Sequence, residues 1–277
     1  MVRNYPAFIV DAFTKERFGG NQAAVCLINK ELRDKEYQTI AAEFNLSETA
    51  FPVPAYGDFK TDSDETNSAN KFTLRWFTPS TEVNLCGHAT LATSHVLINE
   101  IGNTSSLLIF TTKSGDLIVQ KKEHGLLEMN FPQYAITTIH FLGIINPFAS
   151  VFPEFDAPSH LSELIFSFIP SSINVKGVAY ASEAKKLIVV VDEETTKYGF
   201  VDTEDVPYDY VCRYFAPWIY PLLSQIFLIL PSLAFQSFPS RGAQFKLCLL
   251  DDDRISILGH SVTVVQGQIH LNDPHFY

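Results

Sequence analysis

The stretch Leu74-Arg75-Trp76-Phe77-Thr78-Pro79, followed by Asn84-Leu85-Cys86-Gly87-His88-Ala89-Thr90 and an apolar run, reads as a strand feeding a buried helix start that carries polar groups. The first turn of a helix has backbone N–H groups with no intrahelical partner. Gly87, lacking a side chain, lets an anion approach the amides of that turn, Ala89 among them, and a substrate carboxylate fits there. His88 stands at the same place, where an imidazole donates to a ligand or shuttles a proton near neutral pH. The plainer alternative is that His88 only caps the helix or packs against it.

Composition narrows the function classes around that motif. The chain has 277 residues, 46% of them apolar and 18% charged, which excludes general disorder and allows one large domain or two ordinary ones, two being preferred. A net charge of −11 repels nucleic-acid phosphates and anionic lipid, so the expected partner is a small molecule rather than nucleic acid or membrane. Cys26, Cys86, Cys212 and Cys248 form no C-x-x-C pair, and the eight histidines form no H-x-x-x-H pair, so neither a metal nor a redox dithiol is expected. The apolar start of the chain is short and broken by Asp11, which gives no secretory signal and points to the cytoplasm. Pro221 and Pro231 interrupt the apolar run 219–235, short of the roughly 20 uninterrupted residues that span a bilayer.

Local patterns give strands at 7–13, 23–28, 47–53, 72–77, 107–112, 116–121 and 126–131, with helices at 30–44, stopped by Asn45, and at 89–101. The second helix is apolar on most faces and so should be enclosed by sheet. Further strands are expected at 175–180, 186–191, 245–250, 254–257, 262–265 and 268–271, whereas prolines break any regular pattern in 136–170. The class is α+β, with short strands in the rhythm of an antiparallel meander.

With these residues in view, the chain resembles the PhzF-like phenazine biosynthesis isomerase family, whose diaminopimelate epimerase-like fold is shared with proline racemase. The resemblance rests on Asp11-Ala12-Phe13-Thr14, Gly20-Asn21-Gln22-Ala23-Ala24-Val25, Asn45-Leu46-Ser47-Glu48-Thr49-Ala50-Phe51 and Leu85-Cys86-Gly87-His88-Ala89-Thr90. It returns at Arg213-Tyr214-Phe215-Ala216-Pro217-Trp218, at Pro239-Ser240-Arg241-Gly242 and at 259–267. It implies two similar lobes, each a curved, mostly antiparallel sheet wrapped around a central helix. The first lobe would be 1–125 and the second 126–261, with closing strands at 262–277 that return to the first lobe. It also implies that Glu48 takes a proton from a substrate carbon and returns one elsewhere, without metal or organic cofactor. His88 would be its polar partner, and Gly87, Asn21 and Ala89 would bind a small carboxylic acid metabolite. An exposed carboxylate is a weak base, so such a site must be sheltered. Without the resemblance, Glu48 is one surface acid among many. A homodimer is left open. The related epimerases use two cysteines, one from each lobe, but Cys212 and Cys248 lack the Cys-Gly-Thr-Gly setting of such a partner, so Cys86 is read as structural.

The second lobe departs from the family. After Trp218 the family reads Glu-Asp-Pro-Val-Thr-Gly-Ser-Ala-His and supplies an aspartate, a glycine and a serine to the site. Here Ile219 to Ser237 contains no acid, glycine or histidine, so the second lobe is incomplete. Either the chain has diverged into a catalytically silent metabolite- or protein-binding member, or the stretch reflects a reading-frame or gene-model error between two sound flanks. The second reading is preferred, because the pattern resumes abruptly at Pro239.

Overall fold

The computed structural model describes residues 3–60, 70–144, 153–169, 171–183, 186–191, 210–212, 232–236, 241–251 and 253–272. These fall into two compact units, one made of 1–131 with 208–277 and the other of 132–207. The first unit opens with β1 (Arg3–Ala12), β2 (Asn21–Cys26), α1 (Asp34–Phe44), β3 (Glu48–Pro54), β4 (Lys71–Phe77) and β5 (Glu82–Val83). Next come α2 (Gly87–His95), a π-helical turn (Val96–Glu100), β6 (Leu107–Thr112), β7 (Gly115–Lys121) and β8 (Leu127–Pro132). The second unit contains β9 (Thr137–His140), β10 (Glu154–Asp156), α3 (Leu161–Phe168), β11 (Val175–Ala181) and β12 (Lys186–Val191). The chain then returns to the first unit with β13 (Tyr210–Cys212), β14 (Ser232–Gln236), β15 (Ala243–Leu250), β16 (Arg254–Gly259) and β17 (Ser261–Leu271).

Thirteen strands among the described residues form one sheet in the order β13-β14-β15-β16-β8-β7-β6-β4-β3-β2-β1-β17, with β5 beside β4. Most pairs are antiparallel; β2/β3, β4/β6 and β13/β14 run parallel. Side chains bind β8 to β16: Ser256 Oγ donates to Glu128 at 2.6 Å and Arg254 Nη2 donates to the Asn130 carbonyl at 2.8 Å. Helix α2 packs against β1, β2, β3 and β17. Its residues Gly87 through Ser94 are all buried, as a helix without a polar face requires. The hydroxyls it carries turn back on its own carbonyls, Thr90 to Cys86 at 2.6 Å, Thr93 to Ala89 at 2.7 Å and Ser94 to Thr90 at 2.9 Å, so each enters the core satisfied. The α+β class with curved, mostly antiparallel sheet around a central helix is therefore present in this unit. No helix among the described residues is long and apolar enough to cross a membrane.

Three local expectations change. The helix read over 30–44 begins only at Asp34, where Glu36 turns back to accept the Arg33 N–H at 2.9 Å and fixes the start, and Asn45 ends it in a left-handed conformation with φ 50°. The two short strands at 262–265 and 268–271 are one eleven-residue strand, because β1 pairs with β17 across the intervening Gly267. The proline-rich stretch 136–170 holds β9, β10 and α3, with Pro153 just before β10 and Pro158 in the turn whose carbonyl accepts the Leu161 N–H at 3.0 Å. Strand order in the second unit is β10-β9-β11-β12, and Ile139, Phe141, Leu161, Ile165, Val175 and Val178 form its core.

Glu36 also joins α1 to the start of β1 through an ion pair with Arg3. Burial works to raise the Glu36 carboxyl, but hydrogen bonds from Arg3 and from the backbone and side chain of Arg33 outweigh it and hold it at about 2. A carboxyl lower in the folded than in the unfolded chain stabilises above its unfolded pKa of about 4.5 and loses that contribution as pH falls toward 2. Urea midpoints of wild type and Glu36→Gln should therefore differ at pH 6 and converge as pH is lowered through that window.

Candidate active site

Glu48 is the first residue of β3, a strand buried on both faces from Glu48 to Val53. Parallel pairing sets Glu48 opposite Ala23 of β2, and α2 lies over both strands. The carboxylate is fully enclosed, and its Oε2 lies 3.1 Å from His88 Nε2 at the start of α2. Neither Glu48 oxygen accepts from a nitrogen or oxygen donor among the described residues, so the close nitrogen does not aim its hydrogen at the carboxylate, and the neighbouring donor is the Cys86 thiol. That hydrogen goes to Ser47. Ser47 Oγ donates to the Gln22 carbonyl at 2.9 Å, which leaves its lone pair to accept from His88 Nε2 at 3.2 Å. This network assigns the hydrogen to Nε2 and leaves Nδ1 as an acceptor facing Cys86 Sγ at 3.5 Å. Burial pushes the Cys86 thiol well above its usual range, the charge of Glu48 pushes the same way, and the amides of Ala89 and His88 oppose both.

The other expected site residues are placed as follows. Gly87 opens α2, and among the described residues, its chain neighbours and the helix backbone aside, a Cβ added to it would meet no atom within 4 Å. The Ala89 amide is turned toward the Cys86 sulfur. Asn21 is buried at the start of β2 and donates through Nδ2 to Gln236 Oε1 at 2.9 Å, while the next residue, Gln22, gives its carbonyl to Ser47. Glu48, His88 and Gly87 thus meet at one helix start, whereas Asn21 is engaged by β14. Within the stretch 219–237, residues 219–231 and 237 lie outside the described residues, as does the flanking 213–218.

Sequence reading assigned no role to Ser47 or Gln22, although Ser47 stands next to Glu48 in the quoted motif. It also treated Cys86 as packing, while the i, i+2 spacing to His88 carries the signal for contact with the imidazole. A second cluster lies at the Asp11 motif. Arg241 Nη2 donates to Asp11 Oδ1 at 2.6 Å and to the Gly19 carbonyl at 2.9 Å, and the Phe18 N–H donates to Asp11 Oδ2 at 2.6 Å. Gly20 sits here at φ 60°, where an added Cβ would meet the Ala12 carbonyl oxygen at 2.2 Å, so glycine is required.

Comparison with known proteins now bears on this site. Residues 10–219 match the family described as phenazine biosynthesis-like protein, PhzC-PhzF. The chain belongs to the phenazine biosynthesis-like family. Among curated members, mouse phenazine biosynthesis-like domain-containing protein 1 is 33% identical over 95% of this chain and 98% of its own length. An uncharacterized isomerase of Halalkalibacterium halodurans is 34% identical over 96% of this chain and 98% of its own. The crystal structure of a PhzF-family protein from Enterococcus faecalis superimposes with a TM-score of 0.70 at 28% identity, covering 97% of this chain and all of that one. A PhzF-family structure from Bacillus anthracis, at 18% identity and TM-score 0.61, shows the same fold.

Arg241 is the cation that compensates the enclosed Asp11 carboxylate. Among the described residues Arg241→Ala leaves that charge with the Phe18 amide alone and should cost about 3 kcal/mol in urea unfolding, with Arg241→Lys recovering part of the loss.

Proposed function

We propose that this member of the phenazine biosynthesis-like family is an isomerase that moves a proton on a small carboxylic acid without a cofactor, with Glu48 as acid/base and His88 as its polar partner. The observation that carries the reading is the Glu48 carboxylate: fully buried, without a nitrogen or oxygen donor among the described residues, and 3.1 Å from an imidazole nitrogen. An enclosed carboxylate whose oxygens no amide or guanidinium holds among the described residues is positioned to take a proton from a substrate carbon placed beside it. As Glu48 takes the proton, the C–H electron pair moves onto the substrate carbonyl or carboxyl group. The His88 Nε2–H, held by Ser47 in the resting site, passes from Ser47 to the substrate oxygen as that charge develops. Glu48 then returns a proton to another carbon and is regenerated.

The space beside Gly87 is where the substrate carboxylate is proposed to enter, approached by the first-turn amides of α2. Ala89 belongs to that turn, and Asn21 precedes Gln22, whose carbonyl holds Ser47. The silent alternative is not favoured, since base and polar partner are both present and in contact.

Solvent deuterium exchange into a panel of small carboxylic acids tests the reading. Wild type should incorporate deuterium, and Glu48→Gln should lower the rate about 10²–10⁴-fold; equal rates in the two proteins would remove Glu48 as the base. Gly87→Ala probes the entry space. Because the added methyl meets nothing among the described residues beyond its own helix and alanine favours helix, stability should hold or rise by about 1 kcal/mol, while KM for the exchanging acid rises.

A further inference from the structure

Three donors of different chemistry converge at the start of α2. One donor atom each from Glu48, Cys86 and His88 lies within 4.8 Å of the other two, and all three residues are buried. Neither Glu48 oxygen accepts from a nitrogen or oxygen donor there among the described residues. A buried carboxylate facing a thiol and an imidazole acceptor is a site short of positive charge.

We propose that Glu48, Cys86 and His88 bind one zinc ion, which takes the Glu48 carboxylate out of use and so switches the site off. Tetrahedral bonds of about 2.3 Å to sulfur and about 2.0 Å to nitrogen put those two donors about 3.5 Å apart. Cys86 Sγ and His88 Nδ1 are 3.5 Å apart already. Glu48 Oε2 sits 3.1 Å from Nε2 and completes the set by turning toward the Nδ1 and sulfur side, where the Cys86 thiol already interacts with it. A water as fourth ligand would complete the tetrahedron.

His88 is also held as a metal-binding histidine is held. Its Nε2–H is spent on Ser47, itself anchored on the Gln22 carbonyl, which leaves the Nδ1 lone pair free and the ring oriented. Thiolate, imidazole and carboxylate together suit zinc rather than magnesium or calcium. On binding, the Cys86 S–H bond breaks, the sulfur keeps the electron pair and forms the S–Zn bond, and the proton leaves to solvent; no electron is transferred. Glu48 stands 38 positions before Cys86, and the set contains no C-x-x-C or H-x-x-x-H pair, which is why spacing alone argued against a metal.

Zinc uptake stands independently of the isomerase reading; only its inhibitory effect rests on that reading. The full chain, stripped with chelator, is dialysed against dilute zinc chloride and its metal content measured, with cobalt(II) substituted in parallel as a spectroscopic probe. Expected are one zinc per chain, a sulfur-to-cobalt charge-transfer band, and an affinity lowered about 100-fold or more in Cys86→Ser, whose folding is checked by circular dichroism. The cobalt spectrum of the unmutated chain guards against misreading a misfolded variant. Cobalt bound without the sulfur band, or zinc retained equally by Cys86→Ser, overturns the proposal. Where the metal-free protein exchanges deuterium, zinc should stop it and chelator restore it, and exchange that continues at saturating zinc also overturns the proposal. Zinc bound with the sulfur band in a protein that exchanges no acid supports the site and counts against the isomerase reading.

Discussion

An enclosed carboxylate that no amide or guanidinium holds among the described residues sets the terms for the rest of this fold. Removing a carboxylate from water costs several kcal/mol, and among the described residues no amide or guanidinium donates to Glu48. The surroundings are correspondingly well satisfied. β3 buries apolar side chains on both faces, α2 enters the core with its hydroxyls bonded to its own carbonyls, and Ser47 is tied to the backbone of β2. The strain is concentrated at one group, and the large sheet core around it carries the cost.

Much of this was readable in the sequence, for identifiable reasons. The helix start at Gly87 is marked by a strand, a short polar turn and a run without a polar face, and such a run has nowhere to go except between strands. Asn45 as the stop of α1 follows from its tolerance of left-handed backbone. Glu48 was different. Nothing in its immediate neighbours distinguishes a buried base from a surface acid, and only the family resemblance picked it out. Ser47 and Cys86 escaped because their roles depend on where α2 lands on β3, a tertiary fact that no local spacing encodes. The same holds for β17, where the sequence shows a glycine and the structure shows an unbroken partner strand.

The Asp11 cluster shows how distant segments are fastened. Arg241 reaches a carboxylate 230 positions earlier and two carbonyls of the loop before β2, while Gln236 accepts from Asn21. Two of the family motifs quoted from opposite ends of the chain, Asp11 to Thr14 and Pro239 to Gly242, are thus partners through one salt bridge. Burial works to raise the Asp11 carboxyl, against the Phe18 amide and Arg241. Without that cation the carboxyl would be pushed higher still.

The pairing of β1 with β17 along their lengths has a consequence for synthesis on the ribosome. β1 and β2 emerge first and can form a hairpin, yet the outer edge of β1 stays bare until the strand some 250 residues later is made. During that interval an apolar strand edge is open to pairing with any extended chain nearby. Closure then waits on a contact of very high sequence separation, which places this protein among slow folders and makes a chaperone most useful while the last strand is still inside the exit tunnel.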